Sequence, residues 1–137
     1  MMREFCAFGE PLRFDRELRR TLLKQLSLIN DLGRLWVIDL DGAPVGYVVL
    51  TFGYSFEYEG RDALIDELFV KEELRGRGIG RQTIDFLSEA CPSLGIKAVH
   101  LEVDHDNANA QRLYRNSGFE GNQRSLLTKW LTPAGEK

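Results

Sequence analysis

A glycine-rich junction constrains this chain most. Arg75-Gly76-Arg77-Gly78-Ile79-Gly80 stands between the strand-forming run Ala63–Val70 and a helical repeat marked by Ile79, Thr83, Leu87 and Ala90 or Cys91. Three glycines in five residues let a backbone approach a ligand closely. The helix that follows starts with N–H groups lacking intrahelical partners and a partial positive charge, so such a junction is suited to cradle phosphate. Arg75, Arg77 and Arg81 add charge of the right sign. Taken alone, a flexible helix start with solvated arginines is the commoner meaning of such a cluster. Two phosphate motifs are excluded. A P-loop closes on Gly-Lys-Ser/Thr, whereas Gly80 is followed by Arg81-Gln82; a dinucleotide fingerprint counted from Gly76 needs glycine where Arg81 stands.

The flanking sequence reads as alternating strands and helices. Asp15 reads as a helix N-cap with Phe14 before it, and Leu18, Leu22, Leu26 and Ile29 form one apolar stripe. Leu35–Ile38 and Val45–Leu50 are rich in β-formers, and Asp41-Gly42 between them is a strong hairpin signal. Tyr54 to Arg61 reads as a polar-aromatic connection. Pro92 closes the helix that starts at Ile79. Val99, Leu101 and Val103 alternate with His100 and Glu102 at strand spacing. Asn107 caps a helix carrying Ala110, Leu113 and Tyr114, with Gly118 placed as its C′ residue. A last apolar run, Leu126 to Leu131, predicts a final strand. The order helix, three strands, helix, strand, helix, strand predicts an α/β or α+β domain with a mixed sheet.

At 137 residues the chain has room for one domain, so residues 1–137 are expected to form a single unit. Its 43% hydrophobic and 28% charged residues are those of a globular protein. With 18 Lys and Arg against 21 Asp and Glu the formal charge is -3, which disfavours a nucleic-acid binder built on a basic surface. No apolar run approaches the ~20 residues of a membrane span, and the N-terminus lacks a signal peptide's apolar stretch. A cytoplasmic protein with no membrane and no nucleic-acid partner is expected. Cys6, Cys91 and two histidines make neither a disulfide framework nor a metal site, so no metal is expected.

Two further features carry polar chemistry. Tyr114 on the apolar side of its helix reads alone as a core aromatic, and Asn107 as a cap. Asp66-Glu67 interrupts an otherwise apolar strand; alone it reads as an exposed face of a half-solvated strand.

Together, strand Leu64–Val70, Arg75-x-x-Gly78-x-Gly80, Leu101-Glu102-Val103 and Asn107-x-x-Ala110-x-x-Leu113-Tyr114-x-x-x-Gly118-Phe119 resemble the GNAT superfamily of acetyl-CoA-dependent N-acetyltransferases. The specific part of the resemblance covers Leu64 to Phe119. It implies the GNAT fold, a mixed central sheet flanked by helices, with acetyl-CoA as co-substrate. It implies that backbone N–H groups from Arg75, Gly76, Arg77, Gly78, Ile79 and Gly80 wrap the pyrophosphate, and that Leu68, Phe69 and Val70 pair with pantetheine amides. The N–H near Val70 would polarise the thioester carbonyl. Asn107 would contact the pantetheine arm, and Tyr114 would protonate the departing thiolate.

An amine attacks a thioester directly, so no protein nucleophile is required. The amine arrives as an ammonium ion and needs a base within reach or water to take its proton. Glu67 is the first choice, with Glu57, Asp62 and His105 behind it. The expected partner is an amine-bearing small molecule or peptide, and the acidic Glu57, Glu59, Asp62, Asp66 and Glu67 mildly favour a cationic one. The alternatives are an acyl-CoA-binding regulatory module without turnover and a nucleotide-phosphate or RNA-binding domain.

One departure bears on the sheet. The family begins with a strand ahead of the first helix, but Met1 to Phe8 reads equally as the end of a helix. Either the chain starts inside a longer protein, or the first strand is missing or truncated. A bare sheet edge predicts a homodimer or strand addition by a partner.

Overall fold

A computed structural model describes Met2–Glu4 and residues 31–132. The helix predicted from Asp15 lies outside the described residues. Five strands form one sheet in the order β1-β2-β3-β4-β5. They are β1 (Met2–Glu4), β2 (Gly33–Leu40), β3 (Ala43–Ser55), β4 (Gly60–Val70) and β5 (Ala98–His100). The helices are α1 (Ile79–Ala90) and α2 (Ala108–Asn116). The first four strands pair antiparallel and β5 joins β4 in parallel, giving the predicted mixed sheet. The first strand is present rather than missing. Met2–Glu4 pairs with Trp36–Ile38, so this segment is a short strand and not the end of a helix.

The β2–β3 turn follows the sequence closely. Asp41 and Gly42 both hold positive φ, 52° and 83°, the pair of left-handed residues that a two-residue hairpin turn matching the strand twist demands. The β3–β4 connection is tighter than predicted. Phe52 and Tyr54 continue β3 to Ser55, and β4 begins at Gly60, leaving four residues of turn where a longer connection was expected. The polar residues of this stretch look like loop, but β-branched and aromatic neighbours at alternate positions carry the ladder onward.

A β-bulge divides β4. Val49 pairs with Glu67 and Leu50 with Ile65, so Asp66 has no opposite number. Without the bulge, Ile65 and Glu67 would share a face. With it, Ile65 joins Trp36, Val48, Leu50 and Ala63 in the core beneath Leu87 and Cys91. Glu67 turns to the other face, where Leu35, Val37, Tyr47 and Val49 are buried and Phe69 is half-buried.

Helix α1 buries Ile79, Thr83, Ile84 and Leu87. Thr83 is fully buried and satisfies its hydroxyl on the Ile79 carbonyl at 2.8 Å. Pro92 stands in the 3-10 turn Cys91–Leu94 that ends the helix, and Gly95 exits it at φ 78°. Strand β5 is shorter than the alternation predicted: it stops at His100, and Leu101 packs on the core without joining the ladder. The predicted last strand is absent from the described residues. Leu126–Leu131 takes no regular structure, and Leu127 and Leu131 are 89% and 90% exposed. A strand needs a partner ladder, and three-residue β5 offers this run little to pair with.

Candidate active site

The three glycines of the junction serve two purposes. Gly76 and Gly78 sit at φ 79° and 83°, where side chains are strained, and a Cβ at either would meet open space. Gly80 is limited by packing instead: its Cβ would lie 3.3 Å from Leu113 Cδ2. That contact sets α2 beside the start of α1. Gly78 is the N-cap of α1 and supplies no side-chain cap; the first helical bond runs from Gln82 N–H to the Gly78 carbonyl. The first-turn N–H groups therefore have no side-chain cap, and Gly76 and Gly78 leave the adjoining backbone without side chains.

The three arginines take different surroundings. Arg75 folds back, its Nε donating to the Val70 carbonyl at 2.9 Å and its guanidinium lying 5.6 Å from the Phe69 ring centre. Arg81 lies 3.7 Å from Asp85 on the solvent face of α1. Arg77 is exposed.

Among the described residues the edge of β4 has no strand partner beyond Leu64, because β5 pairs only with Asp62, Ala63 and Leu64. The bond from Lys71 N–H to the Val45 carbonyl, 2.8 Å, makes Gly46 and Val70 a non-hydrogen-bonded pair of the antiparallel ladder. By alternation the backbone N–H and C=O of Leu68 and Val70 point away from β3, and those of Phe69 point toward it. Gly46 permits this arrangement, since a Cβ there would fall 2.1 Å from the Phe69 carbonyl oxygen.

Asn107 caps α2, its side-chain oxygen accepting from Ala110 N–H at 3.1 Å, which leaves the amide NH2 group for other partners. Gly118, at φ 97°, follows the C-cap Ser117 as predicted. Tyr114 is half-buried against Phe119, ring centres 6.0 Å apart. Burial raises its pKa, so the phenol keeps its proton at neutral pH. Among the described residues its hydroxyl has no hydrogen-bond partner.

On the opposite face of the sheet from α1, the Tyr47 hydroxyl donates to Glu67 Oε1. The other base candidates are distributed. Glu57 is tied to Arg124, which lowers its pKa, and His105 is exposed in the turn before α2. Asp62 joins His100 on the same face as Glu67, with His100 Nε2 3.1 Å from Asp62 Oδ2. His100 was legible only as an alternating strand residue; its pairing with Asp62 depends on the parallel register of β4 and β5. Among the described residues no cluster of three potential metal ligands occurs, and no helix is long and apolar enough to cross a membrane.

Known proteins match both the sequence and the fold. The chain is 34% identical over 97 residues to an uncharacterized N-acetyltransferase of Methanocaldococcus jannaschii, covering 70% of this chain and 42% of that protein. It is 33% identical over 88 residues to the thialysine N-epsilon-acetyltransferase of Bos taurus, 61% of this chain and 52% of that protein. The chain thus spans about half the length of the curated relatives it matches. Its fold superimposes with a TM-score of 0.77, at 15% identity, on the aminoglycoside N-acetyltransferase AAC(6')-Iy in complex with a bisubstrate analog of CoA, over 96% of this chain and 98% of that one. Residues 2–119 match the Acetyltransferase (GNAT) family, and with the glycine junction, the open β4 edge and the Asn107-to-Tyr114 helix all in that match, the chain belongs to this family.

Proposed function

We propose that this protein transfers an acetyl group from acetyl-CoA to a primary amine by direct attack. The observation that carries this reading is the open β4 edge, Leu68 and Val70, beside the uncapped start of α1. The residues present fit the co-substrate: a Cβ at Gly76 or Gly78 would meet only open space, and the α1 N–H groups are free to take phosphate oxygens. The Arg75, Gly76, Arg77, Gly78, Ile79 and Gly80 backbone holds the pyrophosphate. The edge-facing N–H and C=O of Leu68 hydrogen-bond the pantetheine amides, with the Phe69 side chain walling the same stretch and the Val70 carbonyl held by Arg75. The Val70 N–H polarises the thioester carbonyl, and the Asn107 NH2 group steadies the pantetheine arm.

Tyr114 supplies the acid. Its hydroxyl keeps its proton and has no partner among the described residues, so it is available to the thiolate that leaves as the tetrahedral adduct collapses. Glu67, held by the Tyr47 hydroxyl, takes a proton from the nitrogen of that adduct. The acceptor is an amine-bearing small molecule or peptide, the chemistry shared by the thialysine and aminoglycoside named for the relatives.

The test is a primary-amine panel with free-thiol detection and calorimetry on acetyl-CoA. Binding accompanied by amine-dependent thiol release supports the enzyme. Binding with no release from any amine makes the protein a regulatory acyl-CoA module instead.

A further inference from the structure

A proton must leave the acceptor before it reaches the thioester, and one pair on the acceptor face is built to take it. Asp62 projects from β4 between two groups. Its Oδ1 occupies the space of a missing side chain, since a Cβ at Gly53 would lie 2.8 Å away, and its Oδ2 meets His100 Nε2 at 3.1 Å. The His100 ring also packs on Tyr58, centres 4.5 Å apart. The His100 and Asp62 side chains are 33% and 19% exposed, so the imidazole is held and still reaches solvent. A carboxylate accepting from Nε2–H selects the tautomer whose Nδ1 carries the free lone pair. His100 is the last residue of β5, where pairing with β4 stops and the open edge begins.

We propose that His100, positioned by Asp62, removes the first proton from the incoming ammonium. This rests on the acetyltransferase reading above and adds the step that reading lacks. The chemistry selects an imidazole here. An alkylammonium has a pKa of ~10.4, an ordinary imidazole ~6.5 and an ordinary carboxyl ~4.3, so transfer to imidazole is about a hundredfold less uphill. The step balances. His100 Nδ1 takes one proton from R–NH3+, leaving R–NH2 with a lone pair, and later releases that proton to water. The amine forms the C–N bond, and the adduct R–NH2+–C(O−)(CH3)–S–CoA loses its second proton to Glu67. Collapse breaks the C–S bond, and the thiolate takes a proton from Tyr114, which Glu67 restores through water. The sum is amide, CoA-SH and one proton to solvent.

Among the described residues the charged and titratable groups that meet His100 are Asp62 on β4, Tyr58 and Glu57 on the β3–β4 turn, and Arg124, which holds Glu57. The test compares wild type, H100Q and D62N with the best acceptor of the amine panel at pH ~7 and at pH ~9.5, where more of the amine is already free base. Acetyl-CoA affinity by calorimetry and the circular dichroism spectrum are followed in parallel, and H100N replaces H100Q should the latter misfold. H100Q is expected to lower kcat/KM by ~10²-fold at the lower pH, with acetyl-CoA affinity within about twofold, and the deficit to shrink at least ~10-fold at the higher pH. D62N is expected to lose ~10-fold in the same pH-dependent way, since it leaves the imidazole but not its orientation. A deficit equal at both pH values makes His100 a packing residue and overturns the proposal, as does a profile matching wild type. A wild type that binds acetyl-CoA and acetylates no amine overturns the acetyltransferase reading, a result separate from those two, and the proposal falls with it.

Discussion

The Tyr47 hydroxyl reaches across from β3 to hydrogen-bond Glu67 on β4, on the face of the sheet away from α1. Their Cα partners are Phe69 and Val49, so the bond is a diagonal link between neighbouring pairs on one face. It gives the carboxylate one direction before any substrate arrives.

Glu67→Gln keeps the size of the side chain and removes its basicity. It is expected to lower kcat by at least ~10-fold with acetyl-CoA affinity nearly unchanged, and to take one ionisation out of the acidic limb of the pH profile. Steady-state kinetics across pH checks this; an unchanged limb assigns the adduct's proton to water.

Gly78→Asp places a side chain and a negative charge at the uncapped start of α1. A Cβ there meets nothing within 4 Å, so the fold is expected to survive the strain of a residue at φ 83°, which costs ~1–2 kcal/mol. Acetyl-CoA binding measured by calorimetry is expected to vanish, because the new carboxylate occupies the anion site.

Tyr114→Phe keeps the ring against Phe119 and removes the hydroxyl. The expected result is a kcat at least ~10-fold lower with acetyl-CoA affinity unchanged. A pH effect on stability follows from the same burial. The folded-state pKa of Tyr114 is raised, so its contribution is complete below the ordinary tyrosine pKa of ~10 and is lost as pH rises through the higher folded value. Thermal unfolding at alkaline pH is therefore expected to destabilise wild type more than the Phe variant.

The short β1 predicts association. Among the described residues it pairs with only three positions of eight-residue β2. A sheet edge left partly unpaired is normally covered, so light scattering is expected to return the mass of a homodimer. A monomer at working concentration leaves that edge to another segment of the protein.

Features governed by single residues were legible in the sequence. Asp41-Gly42 needs two left-handed conformations, Asn107 a cap acceptor, and Gly118 a helix end, and each requirement is local. The glycines of the junction were legible as a set, but Gly80's reason lies across space in Leu113. The bulge at Asp66 left no mark, because an interrupted alternation of Asp66-Glu67 looks the same as an exposed face. His100 pairs with Asp62 only because β4 and β5 run parallel in that register, a long-range relation that no window along the chain contains. Leu126–Leu131 has strand composition without a ladder to join, and composition alone does not provide one.

The extra residue in β4 also acts as a change of phase. Side chains alternate with a period of two, so each strand has two possible phases, and ordinary strands keep one from end to end. Strand β4 holds one phase through Ile65 and the other from Glu67. The first half is set by the core under α1, and the second by the face that carries Tyr47, Val49 and Phe69. Drawing Asp66 into the ladder would restore one unbroken phase and turn Glu67 toward Leu87 and Cys91, or Ile65 toward the opposite face, whereas deleting Asp66 would leave both facing as they do. The facing of Glu67 is thus decided by how many residues β4 carries opposite Val49 and Leu50, and not by residue type alone.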